Sequence, residues 1–209
     1  MMTAEKATTS NGDGRRQRTE RGRAAVTEAM IDLMFEGYLP PTAEQLSERA
    51  GVSVASVYRY FDGLDDLRQA ATTLYFSRYT DLFDIECFAE GPLAERVANL
   101  VDSRLKLYTT SEPMGRLIRI RQYEHESARV WLAQLRATYA DQIRHHFDTQ
   151  LQQLGPTDRA QLVAMIATIT SFEAWDQCRE AHHLDVVQIR ESWIGALIAT
   201  MQSTIGIDA

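Results

Sequence analysis

From Glu20 onward the apolar residues recur every three or four positions, and no stretch sustains the two-residue alternation of a strand. A chain patterned this way can bury its apolar stripes only by packing helix on helix, so it is expected to be all-α. Its 209 residues suffice for a small domain joined to a larger one. Glycine and proline mark the joints. Gly37 and Pro40-Pro41 close a first helix over about 20–36, in which Val26, Met30, Leu33 and Met34 share a face. Residues 1–14 are polar and small and read as a disordered tail.

Residues 42–61, TAEQLSERAGVSVASVYRYF, are the most informative segment. Thr42 with Gln45 has the spacing of a capping box that opens a short helix. Gly51 supplies the left-handed conformation that ends it. Ser53 opens another helix only two residues later. Leu46 and Val57 face inward, small Ala50 and Gly51 allow a close crossing, and Val52 plugs the turn. Two short helices across such a turn have the form of a helix-turn-helix, whose second helix enters the DNA major groove. Asp62 reads as the cap of a fourth helix carrying Leu64, Leu67, Ala71, Leu74 and Tyr75.

Charge agrees with one local nucleic-acid face. The net charge is −7, which excludes a protein that coats polyanion over its whole surface. Residues 1–61 carry eight Lys/Arg and eight Asp/Glu; residues 62–209 carry 14 and 21. Within the neutral part, Arg15, Arg16, Arg18, Arg21 and Arg23 face only Glu20, a basic arm suited to phosphate or the minor groove.

Here the chain resembles the TetR/AcrR family of bacterial transcriptional regulators. The resemblance rests on Thr42, Gln45-Leu46, Arg49 to Ser53, Tyr58 to Phe61 and Asp66-Leu67, within about residues 20–68. It implies about nine helices: an N-terminal three-helix helix-turn-helix DNA-binding domain over 15–68 and a larger ligand-binding and dimerisation domain over 69–209. The recognition helix is short, so Ser53, Val54, Ala55 and Ser56 can approach base edges, and Arg59 is expected to help supply specificity. The resemblance also implies that one of Tyr58 and Tyr60 points to a DNA phosphate while the other supports the core, that Thr42 offers a phosphate contact, and that double-stranded operator DNA is the partner. The departures are specific. No Lys stands at the start of the fourth helix, which reads Asp62-Gly63-Leu64-Asp65-Asp66. The leading residues of the recognition helix include no Arg, Lys, Asn or Gln, so bidentate base reading is absent there and DNA shape must carry more of the specificity.

In the C-terminal part, Leu93 to Tyr108 form one stripe, Ser111-Glu112-Pro113 should start a short helix over about Met114 to Ile120, and a long helix should run from about Ser127 to Leu154. Gly155-Pro156 breaks it, and two final helices are expected over about 157–181 and 186–205. Both are apolar over more than one face, wider than a single core contact buries. Ile166, Ile169, Trp193, Leu197 and Met201 are therefore expected at a homodimer interface, which the family resemblance also implies. Tyr108, Met114, Tyr123, His125, Trp131, Tyr139, Phe172 and Trp175 are candidates to line the pocket of an unknown small-molecule effector, polar and aromatic groups on apolar surfaces.

Enzymatic and cofactor chemistry find no support. One Glu180-x-x-His183 stands without the second copy and further Glu that a di-iron bundle needs, and no phosphate-binding Gly loop or nucleophile elbow is present. No metal and no cofactor are expected. Cys87 and Cys178, unpaired, suit a reducing cytoplasm, and no apolar run is long enough for a membrane helix. The sequence thus points to a regulator, most simply a repressor that its ligand releases. A second reading is a ligand-binding or scaffolding helical dimer with weak or no DNA binding.

Overall fold

The computed structural model describes residues 10–38, 40–86 and 88–206, with side chains from Gly14. Residues 1–9 of the expected tail and Cys87 lie outside them. All regular structure among the described residues is helical. Ten α-helices and one 3-10 turn divide into two compact units, 1–79 and 80–209. The expected division at residue 69 would cut through a helix.

The first unit holds α1 (Ser10–Phe35), α2 (Ala43–Ala50), α3 (Val54–Tyr60) and α4 (Leu64–Arg78). α1 begins at Ser10, not near Glu20, so Arg15 to Arg23 ride on a helix rather than a flexible arm. Val26, Met30, Leu33 and Met34 of α1 are buried together with Leu46, Val57, Phe61, Leu67, Ala71 and Tyr75. α1 packs on α2, α3 and α4, and α2 on α3. Thr42 forms the expected capping box: its Oγ1 accepts from Gln45 N at 3.3 Å, and its own N donates to Gln45 Oε1 at 2.8 Å. Gly51 takes the left-handed conformation at φ 65°, ψ 33°. Its N–H reaches Glu48 O while that of Val52 reaches Ser47 O, which closes the helix end. Gly63, not Asp62, occupies the N-cap of α4, without a side-chain cap.

The second unit holds the 3-10 turn (Thr80–Phe83), α5 (Leu93–Arg121), α6 (Glu126–His146), the single-turn α7 (Asp148–Leu151), α8 (Pro156–Ile169), α9 (Phe172–Glu180) and α10 (Val186–Ile205). α5 packs on α6, α9 and α10, and α8 on α6 and α10. Val97, Leu100, Ile143, Phe147, Leu162, Ile166, Trp175, Ile189, Trp193 and Leu197 form one core. Three expected boundaries differ. The stripe over 93–108 and the short helix after it are one element, kinked at Ser111 (φ −114°, ψ 22°), because Pro113 cannot donate into the helical ladder. The helix expected over 127–154 stops at His146; Phe147 leaves helical geometry, and both its ring and that of His146 are buried. The helix expected over 157–181 breaks after Ile169, where Ser171 caps a new helix by accepting from Ala174 N at 3.1 Å.

Candidate nucleic-acid interface

The outer face of the first unit is set by how α3 is clamped from behind. Val57 and Phe61 are buried; Ala55, Tyr58 and Arg59 are exposed, Tyr58 at 56%. The ring of Tyr60 lies against the backbone of Gly22: a Cβ there would come within 2.5 Å of it. Arg23 is the other half of the clamp. Its guanidinium donates to Tyr60 O at 2.7 Å and to both oxygens of Asp66 at 3.1 and 3.0 Å, and lies 4.3 Å from the centroid of the Phe61 ring. Asp66 also accepts from Asp62 N. Hydrogen bonding from Arg23, then from Asp62 N–H, holds the Asp66 carboxyl below the usual carboxylate range. One salt bridge therefore ties α1, the end of α3 and the start of α4 into a single frame.

Several expected contact residues take other places. Ser56 is buried, its Oγ shared with Ser53 Oγ at 2.9 Å and accepting from Arg59 Nη2 at 2.8 Å, so it turns away from any base edge. Ser53 spends its hydroxyl oxygen on Ser56 N as the cap of α3. Arg23 is a positioning residue, its donors already engaged. Thr42 has its N–H engaged by Gln45, which leaves only the hydroxyl proton for a phosphate. Tyr60 is half-buried and supports the helix rather than facing outward. Val54 is half-buried at the leading edge. Arg16 pairs with Glu20 at 3.0 Å on an exposed surface, whereas Arg15, Arg18 and Arg21 are exposed and have no acidic partner among the described residues. The exposed set is thus Ala55, Tyr58, Arg59 and three arginines of α1. Gly22 was not singled out from sequence. Its only signal was a glycine inside a helical pattern, which calls for a packing reason.

The second unit contains a cavity of 370 Å³ whose wall includes Tyr108, Tyr139 and Phe172. Tyr108 is buried and donates its hydroxyl to Thr170 O at 2.8 Å; burial pushes its pKa up to about 12. Tyr123 is 87% exposed and borders a second cavity of 740 Å³. Met114, His125, Trp131 and Trp175 line neither. Trp175 is instead core, ringed by Tyr108 and Phe172 at 5.9 and 5.1 Å. Sequence reading missed Arg119, Arg136 and Glu173, which border both cavities. As charged residues on mainly polar helix faces they gave no sign of convergence.

The residues expected at a homodimer interface are mostly interior to the protomer. Ile166, Leu197 and Met201 are fully buried, Trp193 is 4% exposed and Ile169 is half-buried. The wide apolar stripes are explained within one chain: α8 and α10 pack on each other while α10 also meets α5 and α8 meets α6. What these helices leave exposed is different, namely Ala164, Met165 and Thr168 on α8, and Ser192, Gly195, Ala196 and Ala199 on α10.

Among the described residues no three His, Cys, Asp or Glu gather as metal ligands, and no helix is long and apolar enough to cross a membrane. Comparison with curated proteins returns no match. Comparison with solved structures finds a tetR-family transcriptional regulator from Streptomyces coelicolor, 16% identical, with a TM-score of 0.71 over 90% of this chain and 84% of that one. That likeness is one of fold. Residues 32–71, from the end of α1 through the frame around α3 into α4, match the family model for bacterial regulatory proteins of the tetR family. Residues 32–71 thus match the DNA-binding domain of tetR-family bacterial regulatory proteins, and the chain as a whole shares the all-helical fold of a tetR-family regulator.

Proposed function

We propose that the chain is a repressor that binds operator DNA as a homodimer and is released when a small molecule enters its second unit. The observation that carries this reading is the exposed face of α3, clamped from behind by Arg23, Asp66 and Gly22 yet open at Ala55, Tyr58 and Arg59. A short rigid helix with its outer face free fits a major groove, and α1 adds Arg15, Arg18 and Arg21 for phosphate. The residues on α3 favour contacts to thymine methyls through Ala55 and Val54, a phosphate contact from Tyr58, and DNA shape.

Pairing of two copies would use the outer faces of α8 and α10, where small residues let helices approach closely. The symmetry of such a pair matches a palindromic operator. A coupling of about 1–3 kcal/mol between cavity and DNA face is enough for regulation.

Fluorescence anisotropy on labelled duplexes from DNA flanking the chain's own gene, over a salt series, tests this. The affinity should fall steeply with salt, and Arg18→Ala and Arg21→Ala should each lower the log–log slope by about 1. A flat salt response supports instead a ligand-binding or scaffolding helical dimer. That second reading is favoured by one observation: the leading residues of α3, Val54, Ala55 and Ser56, include no side chain able to read guanine or adenine with two hydrogen bonds, and Arg59 already donates to Ser56 Oγ.

A further inference from the structure

The two cavities of the second unit share one wall, formed by Arg119, Arg136 and Glu173. Arg119 comes from the last turns of α5, beyond the kink at Ser111. Arg136 comes from α6, and Glu173 from the first turn of α9. Glu173 accepts from Arg136 Nη2 at 2.6 Å and pairs with Arg119 Nε at 3.1 Å. Burial raises its pKa, but the two guanidiniums outweigh that and leave it below the usual carboxylate value.

In the 370 Å³ cavity two guanidiniums face the one carboxylate of Glu173; Glu124 borders only the larger cavity. Behind the cavity wall, Arg104 is 1% exposed, lies 4.1 Å from the centroid of the Tyr139 ring and donates Nη2 to Gln142 Oε1 at 2.8 Å. Its Nη1 has no partner and no carboxylate pairs with it. Arg119 and Arg136 thus meet a single carboxylate, and Arg104, against the Tyr139 ring, adds a further positive charge that no carboxylate among the described residues pairs with. The acids next along these helices are already committed: Glu112 to Arg116 and Arg179, Asp176 and Glu180 to Arg116. The first turn of α9 adds the partial positive charge of a helix N-terminus at Glu173. The rest of the 370 Å³ cavity is lined by aromatic and aliphatic side chains together with Thr168 and Ser171. A buried guanidinium without an anion is costly, and guanidinium pairs match planar carboxylates closely.

We infer that the cavity binds an organic anion: a molecule with a flat apolar body seated against Tyr108 and Phe172 and an acidic group facing Arg136 and Arg119, where Glu173 acts as the internal stand-in in the empty site. A cationic guest would meet an excess of positive charge, and a neutral one would leave that excess unanswered. This inference rests on the second unit being the effector-binding body of a regulator.

The test uses the full chain without DNA and three probes of one shape: 2-naphthoate, 2-naphthamide and 2-naphthylmethylammonium, titrated by calorimetry. Naphthoate should bind at least about tenfold tighter than the amide, as expected for a charge-assisted contact. Arg136→Gln, at a side chain half open to solvent, should remove most of that preference. Glu173→Gln should tighten naphthoate, because the internal competitor is gone. Amide or ammonium binding as tightly as naphthoate overturns the inference, as does a failure of all three probes to bind. DNA binding by the same protein, measured separately with no probe, reports on the operator reading alone, so a failure of either is distinguishable from a failure of the other.

Discussion

Gly22 matters because it has no side chain. Its Cα lets the Tyr60 ring lie against α1, at a distance that a methyl group would reduce to 2.5 Å. Gly22→Ala must push the ring, and with it the end of α3. It should destabilise the first unit by about 1–3 kcal/mol, the usual range for overpacking, as read by chemical denaturation. A loss of DNA affinity should accompany this although residue 22 itself faces inward. Gly115 repeats the device in the second unit: a Cβ there would lie 2.3 Å from the Phe172 ring, on the wall of the smaller cavity. Gly51 is constrained by backbone rather than space, since nothing lies within 4 Å of its Cβ position while its φ is 65°. Gly51→Ala should therefore cost about 1–2 kcal/mol through left-handed strain, and thermal unfolding would show it. His146 links protonation to stability. It is fully buried, donating from Nε2 to Arg96 O at 2.8 Å and accepting at Nδ1 from Ala89 N at 3.0 Å. Burial first, and the positive charge of Arg96 and Arg104, lower its pKa from 6.5. The unfolded chain then binds the proton more readily, so stability is full above pH 6.5 and falls as the pH drops below it. Denaturation across pH 7.5 to 5 should show that fall, and His146→Gln, which keeps one donor and one acceptor, should flatten it.

At the scale of elements, caps and glycine stops were legible where they are local. Thr42 with Gln45, Gly51 and Ser53 each bound a helix where the spacing said they should, because a cap is decided by three or four neighbouring residues. Ser171 was equally local but lay between Ile169 and Phe172, apolar residues whose three-residue spacing reads as one continuing helix. The kink at Ser111 was legible as a break at Pro113, though not as one helix continuing through it, because the packing of both halves decides that. The site was legible only in part for a similar reason. Exposed Tyr58, Ala55 and Arg59 follow from helical spacing. The inward turn of Ser56 and the capture of Arg23 depend on Arg59 and Asp66 being near, which the one-dimensional pattern does not show. The same holds for Arg119, Arg136 and Glu173, which three separate helices bring together.

For the whole molecule, the burial of Trp193, Leu197 and Met201 separates folding from pairing. Leu197→Ala should cost about 2–5 kcal/mol of protomer stability through the cavity it leaves. Ala199→Arg, on the exposed face of α10, should yield a folded monomer in analytical ultracentrifugation with unchanged helicity and weakened operator binding. An unchanged dimer would move the interface elsewhere. The excess of acidic residues in the second unit makes polyanion binding there unfavourable. The most direct test of DNA recognition through α3 is a nuclease footprint on DNA flanking the chain's own gene, comparing the native chain with Ala55→Glu. Residue 55 is exposed, so the fold should survive while a carboxylate meets the groove. A discrete protected site with the native chain, absent with Ala55→Glu at equal helicity, is the expected result; equal protection by both proteins would contradict recognition through α3.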